Sequence, residues 1–283
     1  MKHSNISGFL WVAAAAITSS IGGVCFLSIP LPTLASNSLR CGIAALLSLF
    51  FLKKDKAAFR LNFSTLSAGL CFALTTQFFS LAVPLAGAGV STLLLNTSPL
   101  FILLWNVLFF KKAPLPQQIV AATMALLGIW MIVQNHTMQG NLWGIVFGLC
   151  SGACYSGIFF AAQGTNAHPP SAFLLGQTIS ALCGSIFLLG APWQQLTFGS
   201  VACILLLGLV QLGLSYRCMA KGLASTSPLA AGLICSIEPV LAALWANIFA
   251  KEPISLFFVL GSILVLGGIA IQQCSTFTLT KTN

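Results

Sequence analysis

Two charged side chains lie deep inside long stretches of mostly apolar sequence: Arg40, and Glu238 with Pro239 beside it. A charge near the centre of a bilayer costs about 2.5–3.5 kcal/mol on insertion scales, so such a residue normally faces a cavity or an opposite charge. An arginine can hold a carboxylate or phosphate through two parallel hydrogen bonds. A glutamate can bind a substrate amine or carry a coupling proton if burial favours its neutral form. The pair indicates a binding or coupling site, or alternatively a structural ion pair, and the two roles are compatible.

The two charges are predicted to lie at similar depths. Arg40 is about seven residues from the start of its apolar stretch and Glu238 about eleven, which places them about 10 Å and 16 Å along their helices. The two helices are predicted to cross about 30 Å of hydrocarbon in opposite directions. The charges therefore lie within about one helical turn of each other and could meet.

Two prolines occupy matching positions in the sequence. Pro239 removes a backbone donor and frees a carbonyl one turn earlier, near Cys235. A membrane helix tolerates this where its neighbours or a cavity satisfy the freed group. Pro99 repeats the arrangement. We predict a bend in each helix, either as a packing feature or as part of a transport path.

Other polar and aromatic side chains within the apolar stretches are candidates for the same pocket. The polar candidates are Gln77, Asn96, Ser98, Gln177 and Gln211. Trp105 and Trp245 could stack on an aromatic or cationic substrate. Tryptophans near the ends of membrane spans also act as interfacial anchors, which is the alternative for this pair.

The composition predicts a membrane protein that carries these residues on many helices. The 283 residues are 58% hydrophobic and 5% charged, with a mean hydropathy of +0.99. Ten apolar windows are each long enough to cross a bilayer, and their continuous apolarity excludes a β-barrel. The first is predicted to be a retained helix and not a cleaved signal peptide. The windows are 8–29, 33–52, 65–84, 89–110, 117–134, 141–162, 171–190, 199–219, 227–249 and 254–273.

The distribution of lysine and arginine predicts the orientation. With ten spans, nearly all of these residues fall on the side of the N-terminus, and the opposite loops hold only Lys251 beside Glu252. Cytoplasmic loops collect lysine and arginine, so both termini are predicted to be cytoplasmic. The net charge of +9 then reflects topology, and no nucleic-acid partner is expected. We expect a multi-pass protein of a bacterial cytoplasmic membrane, either a monomer or a homodimer.

The chain also repeats itself. Gly8 and Trp11 match Gly140 and Trp143, and further on Pro99 matches Pro239. The prediction is an all-α polytopic membrane protein of ten transmembrane helices in two five-helix repeats, 8–135 and 140–274. Because each repeat has an odd number of spans, the second enters from the opposite side. Inverted repeats of this kind recur in secondary transporters, with the substrate near the bilayer midplane.

Enzyme and pump chemistry find no support in the sequence. The only aspartate is Asp55, in a loop, and no His-Glu-x-x-His, GxSxG or GxxxxGK[ST] motif occurs. The ten cysteines are scattered and form no CxxC pair, so most are expected to be packing residues. We therefore predict no enzyme activity, no metal and no cofactor.

Several segments resemble the EamA family of the drug/metabolite transporter superfamily. The second half carries Ile237-Glu238-Pro239-Val240-Leu241-Ala242-Ala243, then Ala250-Lys251-Glu252-Pro253 and a closing Leu266-Gly267-Gly268-Ile269. The first half carries Leu39-Arg40-Cys41-Gly42-Ile43-Ala44-Ala45, similar to the family's second helix.

The resemblance implies a ten-helix transporter of small metabolites, for which we expect an amino-acid-like substrate, alternating access and possible proton coupling. The alternative is a flippase of a lipid-linked sugar, or a nucleotide-sugar transporter, with the same fold.

Overall fold

The described part of the chain is built from helices. A computed structural model describes residues 2–26, 28–56, 58–86, 88–111, 113–133, 141–161, 164, 166–250 and 256–279, and none of these forms a strand. The Lys251-Glu252-Pro253 segment lies outside the described residues. A π-helix covers Leu207–Leu214, and short 3₁₀ turns cover Ile186–Leu188 and Trp193–Gln195. The α-helices are α1 (Lys2–Ser19), α2 (Gly22–Phe26), α3 (Thr33–Lys54), α4 (Phe63–Ala86), α5 (Ala88–Leu95), α6 (Ser98–Phe110), α7 (Pro116–Val133), α8 (Leu142–Ala161), α9 (Pro169–Ser185), α10 (Phe198–Leu206), α11 (Ser215–Leu223), α12 (Pro228–Cys235), α13 (Glu238–Ala250) and α14 (Leu256–Leu279).

Six apolar helical segments among the described residues are long enough to cross a membrane. They coincide with the second, third, fourth, sixth, seventh and eighth predicted windows, and the count of ten spans stays a prediction. The six are Thr33–Lys54, Phe63–Ala86, Val90–Phe109, Leu142–Ala161, Pro169–Leu188 and Phe198–Leu223. Four shorter apolar helical segments are Ser7–Ser19, Pro116–Met131, Pro228–Leu241 and Val259–Ile271.

The helices predicted to bend at Pro99 and Pro239 are interrupted by turns next to these prolines. α5 ends before the turn at 96–97 and α12 before the turn at 236–237. Each proline is the second residue of the helix that follows, where its missing N–H costs little because the first N–H groups of a helix have no partner within it. In the second turn the Ile237 N–H donates to the Ile234 carbonyl at 3.1 Å, a three-residue closure that ends α12. The apolar segments Val90–Phe109 and Pro228–Leu241 run through these turns, and the bends themselves stay a prediction.

The first window is also divided, between α1 and α2. Near this division, hydroxyls donate back to carbonyls of α1, including Thr18 to Ala14 at 2.8 Å and Ser20 to Ile17 at 2.7 Å. Side-chain bonds of this kind compete with helix geometry. Gly22 follows and has low helix propensity. The prediction of one helix over 8–29 was wrong for this reason.

Helices of the first and second halves of the chain interleave. α4 packs on α8 and α9, α3 packs on α9, and α1 packs on α11. The crossing of α4 and α9 is close, because a Cβ on Gly176 would lie 2.5 Å from the Gly69 carbonyl oxygen. Small residues permit such approaches in lipid, where apolar burial drives association weakly. This interleaving brings Arg40 of the first half and Glu238 of the second half to one cavity.

Candidate functional site

Arg40 and Glu238 line the same central cavity. The cavity has a volume of about 60 Å³ in this structure, and its walls come from the helices of both halves. Its lining residues are Ser19, Arg40, Thr75, Thr76, Phe79, Leu95, Tyr155, Gln211, Leu212, Ser215, Tyr216, Met219 and Glu238. The walls thus combine one guanidinium, one carboxylate, several hydroxyls and an amide with an apolar surface.

The guanidinium of Arg40 is held in place by neutral groups. Its side chain is 3% exposed. Nε donates to Asn37 Oδ1 at 3.0 Å, and Nη1 donates to Gln211 Oε1 at 3.2 Å. The guanidinium carbon lies 4.5 Å from the centre of the Phe26 ring. Because amides and a phenyl ring carry no formal charge, these contacts orient the cation without neutralising it.

A hydrogen-bond chain fixes the orientation of the Asn37 amide. Asn37 Nδ2 donates to Ser180 Oγ at 3.0 Å, and that hydroxyl also lies 2.7 Å from Thr76 Oγ1. Gln77 Nε2 adds a bond to the Ser180 carbonyl at 2.9 Å. Since the amide nitrogen is committed to Ser180, the amide oxygen faces Arg40. Residues of α3, α4 and α9 therefore hold this cation together.

Glu238 is the first residue of α13, immediately after the helix break. The unpaired N–H groups at the start of a helix stabilise a nearby negative charge. Ser19, at the end of α1, lines the cavity with Glu238, and its hydroxyl donates to the Ala16 carbonyl at 3.0 Å. No Arg40 nitrogen lies within 4.0 Å of a Glu238 oxygen, and Arg217–Asp55 is the ion pair found among the described residues. The two central charges therefore share a cavity without a direct ion pair.

The π-helix shapes one wall of the cavity. It contains Gln211 and Leu212, and Ser215 and Tyr216 follow at the start of α11. The wider turn of a π-helix inserts extra backbone into a helix and is frequent at functional sites. Here it presents the Gln211 amide to Arg40.

Three of the predicted site residues line the central cavity: Arg40, Glu238 and Gln211. Gln77 does not line the cavity, but it donates to the carbonyl of Ser180, whose hydroxyl accepts from Asn37. Gln177 is fully buried, accepts from Ser48 Oγ at 2.7 Å and donates to the Leu212 carbonyl at 3.3 Å.

The other polar candidates, Asn96 and Ser98, sit at the first helix break and do not line the cavity. Asn96 Nδ2 donates to the Thr92 carbonyl at 2.9 Å, within its own helix turn. Ser98 is buried, and its hydroxyl oxygen has no hydrogen-bond partner in the described part of the chain.

The two tryptophans lie outside the cavity lining and instead make equivalent contacts. Trp105 Nε1 donates to Ser156 Oγ at 2.7 Å, and Trp245 Nε1 donates to Ser20 Oγ at 2.9 Å. In each pair one half of the chain supplies the indole and the other half supplies the hydroxyl. These bonds tie the helix after each break to the first helix region of the opposite half.

Several lining residues were missed from the sequence, notably Ser19, Thr75, Tyr155 and Tyr216. Serine and threonine in a helix often satisfy their hydroxyls on their own backbone, as Thr75 does with the Cys71 carbonyl at 2.7 Å. Such residues give no sequence signal of a cavity. Among the described residues, no three histidine, cysteine, aspartate or glutamate side chains gather as metal ligands would.

Comparisons with known proteins agree with this architecture. The EamA-like transporter family matches the chain twice, over residues 6–134 and 142–272. A protein crystal structure superposes with a TM-score of 0.73 at 17% sequence identity, covering 95% of this chain and 96% of that chain. This likeness shows the fold. No curated protein sequence matches the chain.

Proposed function

Because the chain belongs to the EamA-like transporter family, we propose that it is a secondary transporter that carries a small amino-acid-like zwitterion through the central cavity. The observation that carries this proposal is the pair of opposite charges, Arg40 and Glu238, which line one cavity without pairing to each other. A ligand with both a carboxylate and an ammonium group would satisfy both charges at once.

The hydrogen bonds of Arg40 leave donors for a ligand. A guanidinium has five N–H donors, and the two bonds of Arg40 use one on Nε and one on Nη1. The remaining donors suit the two oxygens of a carboxylate, which arginine binds in a bidentate fork. The amides of Asn37 and Gln211 leave the positive charge uncompensated for this purpose.

The apolar part of the lining suits the body of the ligand. Phe79, Leu95 and Met219 line the cavity together with Tyr155 and Tyr216. Small-molecule sites are typically lined by such side chains, with a few polar groups that fix orientation. An amino acid with an apolar side chain fits this combination better than a highly hydrated sugar.

The transport mechanism that we propose is alternating access between two inverted five-helix repeats, 8–135 and 140–274. The two family matches and the equivalent helix breaks at 96–97 and 236–237 support this arrangement. Discontinuous helices in corresponding positions of two repeats are typical of transporter binding sites. In this arrangement ten spans would put both termini on the same side of the membrane, and the lysine and arginine distribution supports the cytoplasmic side.

The ligand class is tested by thermal stabilisation of the purified protein. The probes are L-phenylalanine, its amide and 3-phenylpropanoate, which carry both charged groups, only the ammonium and only the carboxylate. We expect L-phenylalanine to raise the melting temperature and the other two to raise it less. Equal shifts from all three probes would contradict recognition of a zwitterion.

Transport itself is tested by uptake of labelled L-phenylalanine into proteoliposomes. In the same vesicles, scrambling of a labelled lipid-linked sugar without amino-acid uptake would favour a flippase.

The role of Glu238 is tested with Glu238→Gln, which keeps the shape and hydrogen bonding of the side chain but removes its charge. If Glu238 carries a coupling proton, proton-driven accumulation fails while exchange of substrate survives. If Glu238 binds the substrate ammonium, exchange fails too while the melting temperature is preserved. Unchanged accumulation in a well-folded variant would contradict both roles.

A further inference from the structure

A second cavity lies next to the central one and shares a wall with it. It has a volume of about 120 Å³, and Tyr216 lines both cavities. Its other polar and aromatic walls include Phe51, Asp55, Phe173, Arg217 and Lys221. A side chain that borders two adjacent cavities is in a position to separate them.

The second cavity is at the basic end of the bundle. Asp55 follows the last turn of α3, which carries Lys53 and Lys54. Arg217 and Lys221 belong to α11. Under the orientation in the proposed function, this end faces the cytoplasm. A gate at this end is inferred from the contacts of the two cavities, and its assignment to the cytoplasmic side rests on the proposed function.

Tyr216 is clamped between aromatic rings of both halves. Its ring centre lies 4.7 Å from that of Phe72 on α4 and 4.9 Å from that of Phe173 on α9, both in edge-to-face geometry. Phe72 and Phe173 also meet each other at 6.1 Å. Both phenylalanines are almost fully buried. The cluster forms an apolar seal between the two cavities.

An ion pair joins the two halves just outside this seal. Arg217, the residue after Tyr216, contacts Asp55 through two bonds, Nη1 to Oδ2 at 3.2 Å and Nη2 to Oδ1 at 3.3 Å. The same guanidinium carbon lies 3.8 Å from the centre of the Phe51 ring. The pair is partly exposed, with side chains 24% and 50% accessible. This ion pair therefore links the end of α3 to α11 at the residue directly after Tyr216.

We propose that the second cavity is the cytoplasmic end of the transport path and that Tyr216, clamped by Phe72 and Phe173 and aligned by the Asp55–Arg217 ion pair, is the gate that closes it in this structure. We call the Asp55–Arg217 ion pair the latch of this gate, and its partial exposure suits that role. Ion pairs near water contribute little net stability, since water solvates the separated charges well. The latch can therefore open at low cost, while the buried rings exclude water when it is shut.

The test measures access to the central cavity from the basic end. Leu95→Cys places a thiol in the central cavity, in a variant whose ten native cysteines are replaced. Inside-out membrane vesicles are treated with the anionic, water-soluble thiol reagent 2-sulfonatoethyl methanethiosulfonate. The labelling rate reports how often the path from the cytoplasmic side is open.

Variants that weaken the ion pair or remove the Tyr216 ring should raise this labelling rate. We expect about a twofold to fivefold increase for Asp55→Asn, consistent with the small energy of an exposed pair. Tyr216→Ala removes the seal itself and should raise the rate at least about tenfold, whereas Tyr216→Phe keeps the ring and should leave the rate unchanged. The exchange Asp55→Arg with Arg217→Asp should restore slow labelling.

Lys221→Gln is the matched control, because Lys221 lines the same cavity and contacts the Trp11 ring instead of an acid. In this variant we expect the Leu95→Cys thiol to be labelled as slowly as when Lys221 is unchanged. An increase equal to that of Asp55→Asn would show a general charge effect and overturn the latch. If Tyr216→Ala does not fold, Asp55→Asn and the charge exchange decide the outcome alone. Unchanged labelling in folded Asp55→Asn protein would overturn the gate.

Failure of the gate and failure of the proposed function give different results. The labelling rates depend on access and not on which ligand the cavity binds. Protection of Leu95→Cys by L-phenylalanine tests the ligand separately, from either side of the membrane. If the gate variants raise the labelling rate while L-phenylalanine does not protect the thiol, the results would support the gate and contradict a zwitterionic ligand.

Discussion

Replacing Arg40 by lysine tests the central site most directly. Lysine keeps the positive charge but has one terminal nitrogen in place of a planar fork, so it cannot form a bidentate bond. We expect Arg40→Lys to weaken binding of a carboxylate while the charge of the cavity stays the same. A loss of function would then report geometry and not charge.

The magnitude follows from the contacts of Arg40. A hydrogen bond that involves a charged group contributes about 1.5–3 kcal/mol. Losing one of the two parallel bonds to a ligand carboxylate then weakens binding about 10- to 150-fold, at about 1.4 kcal/mol per factor of ten. Lysine also cannot reproduce both the 3.0 Å bond to Asn37 and the 3.2 Å bond to Gln211 in their present geometry. An amide oxygen left unsatisfied costs about 1–3 kcal/mol of stability, so the melting temperature should fall as well.

The assay is concentration-dependent uptake of labelled L-phenylalanine into proteoliposomes, with the melting temperature measured on the same preparation. Arg60→Lys is the matched control, because it makes the same chemical change at an exposed position outside the cavity. We expect the control to transport like the unmodified protein. Unchanged KM in folded Arg40→Lys protein would refute the assignment of Arg40 to the substrate carboxylate.

Three further predictions address packing, pH and orientation. Gly176→Ala places a Cβ 2.5 Å from the Gly69 carbonyl oxygen and should cost about 1–3 kcal/mol of stability in a melting experiment. Gly42→Ala should cost little, because the nearest neighbour of its Cβ would be 3.9 Å away. Equal losses of stability in the two variants would contradict this packing. Burial lowers the pKa of His168 from its ordinary 6.5, so stability that is present above pH 6.5 is lost as the pH falls below it, and His168→Gln should reduce that loss in melting curves from pH 8 to 5; identical curves would argue against it. A reporter fused after Asn283 should be active only in the cytoplasm, and activity on the other side would contradict the predicted cytoplasmic position of the termini.

The locations of the apolar helices were largely predictable, but their interruptions were not. Continuous apolarity marks a membrane helix equally well whether or not the helix is broken in the middle. At 96–97 and 236–237 the proline that follows favours the start of a new helix as much as a bend in an old one. The π-helix over Leu207–Leu214 has no composition that distinguishes it from an α-helix. These irregular segments lie beside the cavity, where neighbouring helices and the cavity together decide the backbone.

The charged part of the site was predictable, and its supporting residues were not. Arg40 and Glu238 stand out because a charge in an apolar span has few uses. Asn37, by contrast, lies near one end of its helix, where an amide is unremarkable. Its role depends on Ser180, which is 143 residues away in the sequence. Contacts at such separation are set by the interleaving of the halves, which local pattern does not encode.

The partnership between Arg40 and Gln211 has a consequence for how the protein is made. The two residues are 171 positions apart, so a ribosome adding about 5–20 residues per second delivers Gln211 about 10–30 s after Arg40. Asn37 is synthesised just before Arg40, and its partner Ser180 follows 143 residues later. During that interval the arginine must stay near the headgroups, in water at the insertion machinery or beside Asn37 alone. We therefore expect α3 to reach its final depth in the bilayer only after the π-helix has been synthesised.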